Sequence, residues 1–238
     1  MILITRPRKD SIRLKHKLTK LGYDTHIESL SSFTPIKKKI LLSNFYISII
    51  SSPRAADIIL AQKKINHTAP LLIIGSRSLN KFKKAGFKNI INCVEDSDAL
   101  IKYIKTKSSH LFKQEKYTGV CYFTGTTRSQ SFINKLSQLK LNFKIEEIYT
   151  TNFSKSLSNK TYELIRNKKI KIILLYSYMN AKNFCELLNK NELKKYCNET
   201  QFLVLSKKIK DILVLNGFKN IIVSKSPNEA SLIKALEN

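Results

Sequence analysis

From one end of the chain to the other, short apolar runs alternate with longer stretches whose apolar residues recur at helical spacing. The runs at 1–5, 46–51, 71–74, 120–124, 171–176 and 202–205 predict strands. The stretches 11–21, 54–64, 79–84, 129–139, 180–189 and 229–237 predict helices. Several helix starts are marked: Asp10 is placed to cap the first, Ser52-Pro53 opens another, and Ser226-Pro227 opens the last. Strand–helix alternation of this kind predicts an α/β fold, a parallel sheet with helices on its faces.

The pattern also repeats. Gly86-Phe87-Lys88-Asn89-Ile90-Ile91 recurs identically as Gly217-Phe218-Lys219-Asn220-Ile221-Ile222. The same offset lays LLIIGSRSLNKFKKA over FLVLSKKIKDILVLN, strand on strand and helix on helix. ILITRPRKDSIRLKHKLTKLGY resembles CYFTGTTRSQSFINKLSQLKLNF, with Thr5 on Thr124, and ISIISSPRAADII falls on IILLYSYMNAKNF, with Ser52 on Ser177. Three co-linear matches predict an internal duplication: two similar parallel-sheet lobes with a cleft between them. In such folds ligands bind at the carboxyl ends of the strands, where helix N-termini offer free N–H groups to anions.

Charge sharpens the expected ligand. The 238 residues carry 43 Lys+Arg against 17 Asp+Glu, a formal +26, which favours a polyanionic partner. Part of that surplus follows from a Lys-, Asn- and Ile-rich composition of the kind AT-rich genomes produce. Cys93, Cys121, Cys185 and Cys197 form no C-x-x-C pair and have no His cluster beside them, so no metal site is expected, and their scatter suits a reducing cytoplasm. The opening MILITRPRKD has no signal-peptide h-region, and the apolar runs are strand-sized, so a soluble cytoplasmic protein is expected.

The strand-to-helix turns hold the candidate chemistry: Thr5-Arg6-Pro7, Ser51-Ser52-Pro53-Arg54, Gly75-Ser76-Arg77-Ser78, Thr124-Gly125-Thr126-Thr127-Arg128, Tyr176-Ser177-Tyr178 and Ser206-Lys207-Lys208. Each hydroxyl can bond a ligand oxygen or cap its own helix. No dinucleotide fingerprint, P-loop, nucleophile elbow or paired-carboxylate motif occurs, and His16, His26, His67 and His110 fall on helices and loops away from these turns. An enzyme built this way works by binding and orienting its substrate. The alternative is a non-catalytic basic protein that binds nucleic acid through weak, salt-sensitive contacts.

The ordered motifs I-L-I-T-R-P-R, L-G-Y, I-I-S-S-P-R-A-A, I-I-G-S-R-S-L, K-A-G-F, Y-F-T-G-T-T-R, E-E-I-Y-T-T, L-L-Y-S-Y-M-N-A and S-P-N-E-A-S-L-I-K-A-L cover almost the whole chain. In that order they resemble the uroporphyrinogen-III synthase family. The resemblance implies two α/β domains joined by two linker strands: residues 1–33 with 152–238, and residues 36–148, with linkers near 26–35 and 144–152. It implies a monomeric, cofactor-independent lyase of haem biosynthesis. Such an enzyme dehydrates the linear eight-carboxylate tetrapyrrole hydroxymethylbilane, inverts its last ring and closes the macrocycle.

It further implies that Tyr149 assists departure of the hydroxyl, and that Ser52, Ser78, Gly125 and Ser177 bind substrate; the strand-to-helix turns add Thr5, Arg6, Gly75, Thr124, Thr126 and Ser206 as substrate-binding candidates. The second copy departs from the family's pattern at Ile209, where a hydroxyl is expected, with Ser206 or Lys208 as stand-ins.

Overall fold

The computed structural model describes residues 1–111, 119–139 and 141–236. In chain order the elements are β1 (Ile2–Ile4), α1 (Arg8–Lys20), β2 (Thr25–Ile27), β3 (Ser31–Pro35), β4 (Ile47–Ile50), α2 (Pro53–Leu60), β5 (Leu71–Ile74), α3 (Ser76–Lys84) and β6 (Ile90–Val94). Then come α4 (Ser97–Leu111), β7 (Val120–Gly125), α5 (Gln130–Ser137), β8 (Phe143–Phe153), α6 (Asn159–Arg166) and β9 (Ile172–Leu175). The chain closes with α7 (Tyr178–Lys190), β10 (Gln201–Val204), α8 (Lys207–Leu215), β11 (Ile221–Val223) and α9 (Glu229–Lys234).

The chain divides into two compact units: Met1–Phe33 with Asn152–Asn238, and Thr34–Thr151. The first holds a parallel sheet in the order β2-β1-β9-β10-β11. The second holds a parallel sheet in the order β8-β7-β4-β5-β6, and β3 and the end of β8 are the strands in which the chain passes from one unit to the other. Matching β1 with β7, β2 with β8, and β9-β10-β11 with β4-β5-β6 makes the two parallel sheets identical in order. All but the match of β2 with β8 are pairings of the sequence repeat. One difference follows from chain order: the strand pair that opens the first unit closes the second, so the units are circular permutations of one another.

The repeated G-F-K-N-I-I has a physical cause. Gly86 and Gly217 take φ of +81° and +82° just after α3 and α8, a conformation that costs glycine no Cβ clash. The following Phe87 and Phe218 N–H groups reach back to the Phe82 and Leu213 carbonyls and satisfy helix-end acceptors. Both phenylalanine rings then pack inward, on Phe82 and Phe202 respectively, before the chain enters the next strand.

Strand residues alternate between two buried faces. In the first unit Ile2, Ile4, Leu174 and Leu203 pack with Leu14 and Leu18 of α1 and Leu232 of α9. Leu3, Ile173, Phe202 and Val204 pack against α6, α7 and α8. In the second unit Ile47, Ile49, Val120 and Tyr122 pack with Leu100 and Ile104 of α4 and Phe132 of α5. Burial on both faces explains why the strands read as unbroken apolar runs.

Three sequence expectations need correction. Asp10 does not cap the first helix, which starts after Pro7; it lies within the first turn and sits near Arg6 and Arg13 instead. The last helix is capped by Asn228, whose side chain accepts from Ser231 N–H, because its first turn begins at Glu229, beyond Ser226 and Pro227. His26 lies on strand β2, not on a helix or loop. The predicted end of the last helix at Glu237 and the side chain of His110 lie outside the described residues. Among the described residues no helix is long and apolar enough to cross a membrane.

Candidate active site

Parallel sheets of this order reverse their winding once, and the crevice outside the strand ends at that reversal is the usual ligand site. In the second unit the reversal lies between β4 and β7, because β5 and β6 extend one way from β4 while β7 and β8 lie on its other side. A cavity of about 430 Å³ opens there, lined by Ser51, Tyr122, Thr124, Thr127, Arg128 and Tyr149 among others. Strand β8 brings Tyr149 to it where its pairing with β7 ends: the β7–β8 register slips after Thr124, setting Tyr149 opposite Gly125.

Gly125 is small for a reason. A Cβ at that position would lie 2.7 Å from Cζ and 2.9 Å from Cδ2 of the Tyr149 ring, with Cε2 closer still. The ring therefore rests on bare backbone, and Thr126 N–H donates to the Tyr149 carbonyl at 3.0 Å to fix the approach. Arg128 braces the same turn, donating to the carbonyls of Gly125 and Thr126 and to the Glu147 carboxylate. The Tyr149 hydroxyl lies 3.2 Å from Ser52 Oγ, which also accepts from Ala55 N–H as the cap of α2. Burial pushes the Tyr149 phenol above its ordinary pKa; the Ser52 hydrogen bond and the Arg54 charge oppose that, and the group stays protonated at neutral pH.

In the first unit the reversal lies between β1 and β9. Thr5 is fully buried and its hydroxyl donates to the Leu174 carbonyl at 2.6 Å, tying the two strands together at that point. Arg6 lies over the Tyr176 ring at 4.5 Å from its centroid and donates to Glu229 at 2.5 Å. Its side chain is only 11% exposed, so the guanidinium is engaged within the protein. Ser177 caps α7, accepting from Asn180 N–H.

Of the predicted site residues, Ser52, Thr124, Gly125, Thr126 and Tyr149 thus come together in the second unit. Thr5, Arg6 and Ser177 flank the reversal in the first. Gly75 and Ser78 lie one strand away, after β5; Gly75 takes φ +85° at the start of α3, and Ser78 is fully buried. Ser206 stands at the start of α8 without a side-chain capping bond. Ile209, where a hydroxyl is expected, packs into the apolar cluster with Phe202 and Leu213, while Lys208 stacks over Tyr178.

Sequence reasoning missed two features. Tyr122 bonds Ser51 through its hydroxyl at 2.7 Å, placing a second phenol in the crevice beside Tyr149. The available signal was its place in a strand, where its alternation with Cys121 and Phe123 reads as core. The second is Glu229, 8% exposed, which receives Arg6, Arg13 at 2.8 Å and Lys17 at 2.8 Å. Burial alone would raise the Glu229 pKa, but the Lys17 hydrogen bond and the Arg13 and Arg6 charges bring it below the ordinary carboxylate value.

A carboxylate held low in the fold stabilises it above its unfolded pKa, and that contribution is lost as pH falls through the lowered value. Glu229→Gln is therefore expected to cost about 1–2 kcal/mol at neutral pH, a figure discounted because Arg13 and Lys17 are half exposed. The gap to the unsubstituted protein should close in acid. Melting temperatures recorded from neutral pH down through the carboxylate range check this; a gap of constant size would contradict it.

Comparison with known proteins adds three findings. A family model described as HEM4, uroporphyrinogen-III synthase HemD, matches residues 12–234. No curated protein sequence matches. Among solved structures, the uroporphyrinogen-III synthetase of Helicobacter pylori is 14% identical, with 99% of this chain and 97% of that one covered at a TM-score of 0.66. A mutant uroporphyrinogen III synthase of the extremely thermophilic bacterium Thermus thermophilus is 12% identical, with 99% and 96% covered at a TM-score of 0.60.

Proposed function

We infer that this chain, which belongs to the uroporphyrinogen-III synthase family, converts hydroxymethylbilane to the type III macrocycle. It does so by removing the terminal hydroxyl as water, inverting the last pyrrole ring and closing the ring. The observation that carries the reading is the Tyr149 phenol, seated on Gly125 and bonded to Ser52 at the winding reversal of a parallel sheet.

Loss of hydroxide from carbon in neutral solution is slow unless the departing oxygen receives a hydrogen bond or a proton. Tyr149 supplies that donor. Its buried phenol keeps its proton at the working pH, so it donates to the oxygen as the C–O bond breaks and the electron pair leaves with it. The carbon cation that remains is reactive by itself. What the protein then determines is which pyrrole carbon attacks it, a matter of orientation and not of acid–base chemistry.

A crevice of about 430 Å³ is too small for a tetrapyrrole and takes its reacting end. Thr124 and Thr126 supply hydroxyls near that end. Ser177 and Ser206 in the first unit and Gly75 after β5 stand at helix starts and serve the carboxylates, where helix-start N–H groups and the +26 charge favour anions; Thr5, Arg6 and Ser78, being buried or paired, support those turns from within. On this reading the protein works as a monomer in the cytoplasm.

The test supplies hydroxymethylbilane from the enzyme that makes it and separates the porphyrin isomers after oxidation. Type III product is expected; type I alone, the product of spontaneous closure, would refute the assignment.

A further inference from the structure

We propose that Ser52 is a positioning residue whose hydroxyl, anchored by the first turn of α2, donates to the Tyr149 oxygen and thereby turns the phenolic proton toward the crevice. The proposal rests on the leaving-group role of Tyr149 and adds to it the group that orients that proton.

The case is geometric. A serine hydroxyl has one proton and two lone pairs. Ser52 Oγ lies 3.0 Å from Ala55 N and accepts its proton, which uses one lone pair. The Tyr149 oxygen stands 3.2 Å from the same atom. A lone pair and the proton both remain for the phenol, and the proton makes the contact because the Ala55 N–H and the start of α2 draw electron density from Oγ and favour it as the donor. Ser52 then donates, Tyr149 accepts, and the tyrosine keeps its own proton for the substrate. The residue is held on both sides, because its carbonyl also accepts from Ala56 N–H at 3.1 Å as α2 begins. The positive end of α2 lies behind the hydroxyl and strengthens it as a donor.

The other groups facing the phenol are Arg54 on α2, Tyr122 on β7 and the backbone at Gly125. The Ser52 bond favours the ionised form of Tyr149 against burial, so it also makes the phenol a better hydrogen-bond donor.

A merely structural Ser52 would act as the α2 cap alone, and substitutions separate the two roles. Glycine is tolerated at a helix N-cap, alanine is not, and threonine keeps both the cap and the hydroxyl. If Ser52 positions the phenol, Ser52→Thr should turn over within about twofold of the unsubstituted protein. Ser52→Gly and Ser52→Ala should both lose about tenfold in kcat with KM nearly unchanged, the worth of one hydrogen bond. Only Ser52→Ala should lower Tm markedly. If instead Ser52→Gly keeps full kcat while Ser52→Ala loses it, the hydroxyl only caps the helix and the proposal falls.

A second readout does not depend on turnover. In NMR of ring-labelled tyrosine, with the signal assigned through Tyr149→Phe, the Tyr149 titration should move to higher pH in Ser52→Gly. No movement would overturn the proposal. Failure of the proposed activity would show differently, as type I product from the unsubstituted protein with the Ser52 effect on titration intact.

Discussion

Gly125→Ala is expected to cost the protein about a hundredfold or more in turnover together with roughly 1–3 kcal/mol of stability. The new methyl would stand inside the Tyr149 ring, at 2.7 Å from Cζ and 2.9 Å from Cδ2, where only bare backbone now fits. The ring is the flexible partner and must leave, because Gly125 is fixed in β7 and braced by Arg128. Moving the ring breaks its approach to Ser52, so loss of activity and loss of packing have one cause. A double-mutant cycle isolates it: in a Tyr149→Ala background the ring is gone, and Gly125→Ala should then cost under about 0.5 kcal/mol. Wild-type turnover in the single variant would mean that Tyr149 does not act where it now sits.

That contact also marks where sequence reading stops. The repeat, the parallel α/β class and the edge on which the hydroxyls gather were legible, because they depend on apolar periodicity and on glycine and serine at strand ends. The G-F-K-N-I-I pair is the clearest case, since a left-handed glycine followed by a buried phenylalanine is a local requirement of each helix end. Less was legible at the sheet margins. Edge strands β6 and β11 bury only part of each side chain, so their short runs carry no firm alternation. Helix α6, which no prediction covered, buries Thr161, Leu164 and Ile165 and is otherwise polar.

Long-range polar partners left no trace in the sequence at all. Glu229 answers Arg6, Arg13 and Lys17 from the far end of the chain, and nothing near it in sequence announces the cluster. The same holds for Tyr122, whose hydroxyl meets Ser51 only because β4 and β7 are neighbours. Candidate hydroxyls likewise divide by environment and not by residue type. Thr5 bonds a strand carbonyl, Ser177 caps a helix, and Ser52 does both a cap's work and a second task toward Tyr149.

Tyr149→Phe measures that second task most directly. Phenylalanine keeps the ring on Gly125 and loses the hydroxyl with its bonds to Ser52 and to the backbone at Gly125, so the stability cost should stay within about 1–2 kcal/mol. Removing the donor for the departing oxygen should slow kcat by about 100- to 1,000-fold, in the range of a positioned acid, with KM little changed because carboxylate binding is untouched. The product should shift as well: substrate released unreacted closes spontaneously, so the type I fraction rises as turnover falls. Burial holds the phenol protonated past its ordinary pKa, so any alkaline decline in kcat of the unsubstituted protein that arises from Tyr149 should disappear in the variant. An unchanged kcat would remove Tyr149 from the chemistry and leave it as the packing partner of Gly125. A loss of kcat with stability and KM preserved admits no packing explanation, because the ring and its packing on Gly125 are the same in both proteins.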